Sequence, residues 1–269
     1  MRRFYQESWH GIPFTAFTHV SFFHLASSKF YASFYNELFR RYKSWIDLPF
    51  SWRKSKDKDA LWIAEQIGKQ SAKICAIQKE SSKEDQELVF DEKNPRVLSI
   101  VRGVGYMEKS LLEIMPNIEL HVNESTTLGM RWLRDVMPTE RIYIGSPLTS
   151  LPSDFKYDVI YLAAVDYSIE ESDLALILRE LRGQLKSGGK LICISAYLLI
   201  ESSALGRFMN GLKIGVRAIL QLLTMRRQQF WGWKRTKLEY YKLFKNAGFS
   251  TIQDGYLENG LNSFWISGE

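Results

Sequence analysis

From Arg96 to Ser195 the chain alternates short apolar runs with helical periods, and this alternation restricts the fold more than any other feature. Strands are expected at Arg96–Val101, Glu119–Val122, Ile142–Ile144, Asp158–Ala163 and Lys190–Ser195. Helices are expected at Tyr106–Met115, Thr127–Val136 and Ser172–Leu185, with a turn at Ser187-Gly188-Gly189 before the last strand. Strands joined by helices of this length imply right-handed βαβ crossovers and therefore a parallel sheet. Beyond this block, Thr236–Ala247 reads as a helix ended by Gly248, followed by a closing strand pair at Phe249–Tyr256 and Ser263–Ser267.

Upstream, residues 1–50 are dense in aromatics, and apolar positions recur at helical spacing from Ser28 to Lys43 (Tyr31, Phe34, Tyr35, Leu38, Phe39, Tyr42). Residues 59–79 continue as a second helix, and the polar stretch 81–95 reads as a linker. Residues 1–93 are thus expected to form an aromatic-rich helical cap on a domain spanning 94–269. Of the 269 residues, 45% are hydrophobic and 25% charged, which excludes a disordered chain. Cys75 and Cys193 cannot build a disulfide framework, so a reduced, cytoplasmic compartment is expected. The basic start lacks the apolar core of a signal peptide, and no run reaches the roughly 18 apolar residues of a membrane span.

The net charge of +6 is unevenly placed. Residues 1–60 carry +5 and residues 197–245 carry +8, while the rest sums to −7. Two basic segments therefore flank a mildly acidic centre. Because no dense basic stripe runs along one face, nucleic acid is not an expected partner.

The segment RVLSIVRGVG (96–105) runs a strand into Gly103-x-Gly105 and then a helix, a nucleotide-binding turn. Glycines let the backbone approach a ligand, and the helix start offers unpaired N–H groups. A dinucleotide fingerprint would place a third glycine where Glu108 stands, which argues against NAD. Glu124 follows Gly103 by 21 residues, at the end of the second strand, where a carboxylate can accept both hydroxyls of a ribose.

VLSIVRGVG, PNIELHVNEST and YDVIYLAAVDYSIEESDLALILRELRGQLKSGGKLICIS together resemble the class I S-adenosylmethionine-dependent methyltransferases, and RTKLEYYKLFKNAGFSTIQDGY is similar to that family's last helix and strand. The resemblance implies an α/β, Rossmann-like, doubly wound, mostly parallel seven-stranded sheet. It also implies S-adenosyl-L-methionine as cofactor, with Gly103 and Gly105 lining it, Glu124 on the ribose and the backbone near Ala163 beside the sulfonium. Four positions depart from the family pattern. Ser99 stands where an acid is usual, Val101 where a glycine is usual, Arg102 at a small or Cys position, and Ser146 at the acid that meets the adenine. Ser99 and Ser146 retain hydrogen-bonding capacity, and Arg102 either pairs with the cofactor carboxylate or lies in solvent. A fold that has lost catalysis and acts as a binding or scaffolding partner is the alternative these departures favour.

Methyl transfer from a sulfonium needs alignment and exclusion of water, and a base only where the acceptor holds a proton tightly. By the resemblance, the segment after the fourth strand faces the acceptor. There Asp166 is either a base for a hydroxyl or a loop cap, and Tyr167 would orient the acceptor. His10, His19, His24 and His121 match no metal-site spacing, so no metal is expected, with His10 the one nearest a cofactor-covering role. Residues 197–234 form an insertion expected to be helical, with Leu212, Val216, Ile219, Leu220 and Leu223 on one face and basic residues beside them. It reads either as a lid packed on the domain or as an interfacial helix, residues 205–235 then touching an anionic membrane at its inner face. Both readings favour a small-molecule or glycan acceptor that is anionic or lipid-linked; the oligomeric state is open.

Overall fold

The computed structural model describes residues 2–9, 12–14, 28–81, 94–101, 103–199, 219, 223, 229–260 and 263–269, with the backbone alone for 28–34 and 74–81. At its N-terminus lie β1 (Arg2–Gln6), β2 (Ser8–Trp9), β3 (Ile12–Pro13), α1 (Ser28–Arg41) and α2 (Phe50–Ser81). The central unit runs β4 (Arg96–Val101), α3 (Tyr106–Ile114), β5 (Glu119–Glu124), β6 (Ile142–Ile144), α4 (Pro147–Ser150), β7 (Tyr157–Ala163), α5 (Glu171–Gly183) and β8 (Leu185–Ser195). β9 (Gln229–Lys234), α6 (Lys237–Asn246), β10 (Ile252–Leu257) and β11 (Ser263–Gly268) complete the chain.

The main sheet has seven strands in the order β10-β11-β8-β7-β4-β5-β6, and only β11 runs against the others. This is the mostly parallel, doubly wound, Rossmann-like arrangement expected from the sequence. Strand order reverses between β4 and β7, which opens a crevice at their C-terminal ends. β4 and β7 read as mostly apolar runs because both of their faces are buried. Leu98, Ile100, Ile160 and Leu162 pack toward α5 and α6, while Val97, Val159 and Tyr161 pack toward α2 and α3. α2 contributes Ala60, Ile63, Ala64 and Ile67 to that second core, so part of the stretch read as a cap covers the sheet itself. α6 starts where a capping box dictates: Thr236 Oγ1 accepts from Glu239 N–H at 3.2 Å, and Glu239 Oε2 accepts from Thr236 N–H at 2.8 Å.

Three expectations are corrected. Residues 127–136 form turns and a 3-10 helix at Leu133–Asp135 instead of an α-helix. The segment is short, and Gly129 lies so close to the Glu124 side chain that an added Cβ would meet it at 2.6 Å. Ser187-Gly188-Gly189 is a bulge inside β8, with Gly188 at φ 73° and the register shifting opposite Tyr157 and Val159. The end of the insertion is strand, because β9 pairs antiparallel with β1 and buries Trp231 in an aromatic cluster. Gly232 permits this docking: at φ 154°, any Cβ there would lie 2.1 Å from the Tyr167 carbonyl oxygen.

Candidate functional site

A cavity of about 430 Å³ opens at the C-terminal ends of β4 and β7. Its floor is the loop Gly103-Val104-Gly105 and the first turn of α3, and its far wall is Ala163, Ala164 and Tyr167. Gly105 is the N-cap of α3 at φ 68°, and a Cβ there would meet Leu133 at 2.3 Å. Gly103 is different, since a Cβ would only graze Val101 at 3.9 Å. Gly105→Ala is therefore expected to cost about 2–4 kcal/mol from overpacking and a left-handed backbone. Gly103→Ala should stay within about 0.5 kcal/mol, and urea denaturation of both variants checks the contrast. Across the cavity the chain turns sharply at Ala164, which holds φ 54° with its N–H on the Ile194 carbonyl at 2.7 Å. A non-glycine residue in that region costs about 1–2 kcal/mol, so packing around the loop fixes this bend.

Two charged side chains line the same cavity although both are buried. Glu108, in the first turn of α3, is 2% exposed, and its Oε1 accepts from Ser99 Oγ at 2.6 Å and from Tyr161 OH at 3.3 Å. Burial raises its pKa, opposed by those two hydrogen bonds and by the charge of Lys56. Lys56 projects from α2, 8% exposed, and its Nζ contacts Asp59 Oδ2 at 2.5 Å. Asp59 is fixed in turn by Asn259 Nδ2 at 2.7 Å. Glu108 thus places an acid beside Ser99, and its position in the sequence registered only as an absent glycine. Its signal was an acid in a first helical turn, on the face of the loop and between the buried Met107 and Leu111. Lys56 lay in a segment read as cap and offered no such signal.

A second hollow of about 600 Å³ lies over the ends of β5 and β6, lined by Ser125, Gly145, Ser146, Ser168 and Trp233 among others. Ser146 caps α4, its Oγ accepting from Leu148 N–H at 3.3 Å. Glu124 stands between the two hollows and lines neither. It is fully buried: Oε2 accepts from Gly103 N–H and from Tyr35 OH, each at 3.4 Å, and Oε1 accepts from Ser125 Oγ at 2.9 Å.

Asp166 departs from its expected place. It is wholly buried, does not line the cavity, and accepts on Oδ2 from Ser195 Oγ at 2.8 Å and from Tyr240 OH. Burial raises its pKa against the opposing pull of Tyr240, Arg235 and Ser195. The carboxylate is thus turned into the protein, where it holds Ser195 and Tyr240 beneath the loop. Tyr167, the next residue, does line the cavity and packs edge-on to Tyr197 with centroids 4.9 Å apart. Its ring lies parallel to Trp231 at 6.3 Å.

His121 sits in β5, with Nδ1 3.1 Å from Tyr157 OH and Nε2 3.2 Å from Glu119 Oε1. Among the described residues, no group of three His, Cys, Asp or Glu could hold a metal ion. Arg102, His10, His19 and His24 lie outside the described residues, as does most of 205–228. Of that segment's apolar face, Ile219 and Leu223 have helical backbone and are exposed. No described helix is long and apolar enough to cross a membrane.

In overall backbone the chain is similar to PigF solved with SAH, at 22% identity and a TM-score of 0.47 over 66% of this chain and 51% of PigF. It is similar to human N-acetylserotonin methyltransferase in complex with SAM, at 20% identity and a TM-score of 0.46 over 67% and 49%. The mitomycin 7-O-methyltransferase MmcR follows at 17% identity and a TM-score of 0.48 over 67% and 50%. The chain spans about half the length of these proteins. No protein-family model and no curated protein matches it by sequence. These likenesses are of the backbone fold alone.

Proposed function

We propose that the chain is an S-adenosyl-L-methionine-dependent methyltransferase acting on the oxygen or nitrogen of a small-molecule or glycan acceptor. The observation that carries this reading is the opposite-charge pair, Glu108 and Lys56, buried in one cavity at the switch point of the sheet. A buried acid and a buried base together suit the amino-acid end of the cofactor, ammonium toward Glu108 and carboxylate toward Lys56. Glu124 suits the ribose diol, and the hollow beside Ser125 and Ser146 suits the base. When bound, this cofactor supplies an electrophilic methyl group on a sulfonium. The chain's own work is then alignment and exclusion of water. Trp9, Trp52, Tyr167 and Tyr197 give the rest of the cavity flat apolar walls against which an acceptor can be held. Lys234, whose Nζ lies 5.1 Å from the Phe4 ring centroid, adds positive charge near Tyr197 and suits an anionic acceptor. Exposed Ile219 and Leu223 favour its presentation at a lipid surface.

Calorimetry with S-adenosylhomocysteine is expected to give micromolar binding, and absence of heat at millimolar ligand would overturn the reading. One observation favours the second reading, a binding protein that has lost catalysis: Glu124 has no exposed surface. That reading requires no methyl transfer to any acceptor in a broad screen.

A further inference from the structure

Tyr35 on α1 is fully buried although it belongs to the N-terminal segment. Its hydroxyl donates to the Gly103 carbonyl at 2.9 Å and reaches Glu124 Oε2 at 3.4 Å. Ten residues on, Trp45 Nε1 donates to the Val104 carbonyl at 2.8 Å. Two successive carbonyls of the glycine loop are therefore held by one segment. That segment is held in turn through Trp132, whose ring lies 5.0 Å from Phe39 and 5.9 Å from Trp45. The effect on the groove is specific. Gly103 lines one hollow and Ser125 lines the other, and both are bonded to Glu124, which lines neither.

We propose that Tyr35 is a gate on Glu124: its hydroxyl holds the bonding position a ribose hydroxyl would take, so a nucleoside ligand enters only as the segment Tyr35–Leu48 lifts. This rests on the function proposed above. A phenolic O–H and a ribose O–H compete for the same carboxylate as like donors, so the closed state is stable and still displaceable. The cofactor affinity measured for the whole chain is then the intrinsic affinity reduced by the fraction of molecules that are open.

The test compares the whole chain with Tyr35→Phe, which keeps the ring and removes the hydroxyl. Without ligand, deuterium uptake by the amides of residues 35–48 is expected to rise in the variant. Unchanged uptake would show that the hydroxyl does not hold the segment, and would overturn the gate whatever the cofactor. With S-adenosylhomocysteine, the variant is expected to bind about three- to tenfold more tightly, the equivalent of one long, weak hydrogen bond to the Glu124 carboxylate. Weaker binding would make Tyr35 a ligand contact and overturn the gate. Ligand added to the unaltered chain should raise uptake across 35–48, and protection there would also overturn it. Trp45→Phe, which releases Val104 and leaves Tyr35 intact, should shift affinity in the same direction. If neither chain binds the nucleoside but Tyr35→Phe raises uptake, the function reading fails while the latch between α1 and Glu124 stands.

Discussion

Asp166→Ala is expected to destabilise the protein by about 3–5 kcal/mol, the range for stripping one partner from a buried charge cluster. Asp166 is the acceptor for Ser195 and Tyr240, and Tyr240 OH also donates to Ser195 Oγ at 2.8 Å. Arg235 is equally buried; its guanidinium donates to the backbone carbonyls of Asp166, at 2.8 Å, and of Ile169. Removing the carboxylate takes away a charge that opposes the buried Arg235 guanidinium and leaves two hydroxyls short of an acceptor. Arg235 in turn accepts Leu199 N–H on its own carbonyl at 2.8 Å, so the cluster ties both ends of the insertion to the loop that carries Tyr167. Asp166→Asn keeps the shape and one acceptor and should cost about 1–2 kcal/mol. Urea denaturation of the two variants measures the difference. A fully stable Asp166→Ala protein without transferase activity would instead return Asp166 to the chemistry.

How far this could be read from the sequence depends on how far apart the partners lie. The sheet was legible because Val97–Ile100 and Val159–Leu162 are buried on both faces, and a continuous apolar run between glycine-bearing turns has few other uses. Gly105 was legible because a strand-to-helix turn needs a left-handed residue there. Ser99 is buried, bonded to Glu108 and outside the lining of both hollows, while Ser146 lines the second hollow. Glu108 was not legible as a site residue: the pattern at that position concerns packing, and the loss at Ser99 gives no hint of where a replacement stands. The Tyr35–Glu124 contact joins residues 89 apart across two different cores, and helical spacing shows only that Tyr35 is buried. Strand β9 was missed because it follows directly on the helical spacing of Leu212, Val216, Ile219, Leu220 and Leu223, and Gly232 makes sense only against the Tyr167 carbonyl.

Glu108→Gln is expected to weaken S-adenosylhomocysteine binding about 10- to 100-fold while making the fold more stable. The first effect is the loss of a charge-assisted hydrogen bond, worth about 1.5–3 kcal/mol. The second follows from burial. Desolvation raises the Glu108 pKa, so the folded chain holds that proton more tightly than the unfolded chain, whose carboxyl titrates near 4.3. Such a group stabilises fully below the unfolded pKa, and the stabilisation is lost as pH rises through the folded value. Above the unfolded value that stabilisation is progressively withdrawn, and glutamine, which does not titrate, removes the dependence. The variant should be more stable than the unaltered chain at pH 7, read as a higher melting midpoint, and the gain should shrink as pH falls toward the unfolded value of about 4.3. Asp166 contributes a decline of the same sign, and His121, its pKa lowered by burial, contributes one of opposite sign. Both persist in the variant, so the difference between the two melting curves across pH isolates Glu108. If glutamine leaves affinity unchanged and only raises the midpoint, Glu108 serves Ser99 and Tyr161 alone.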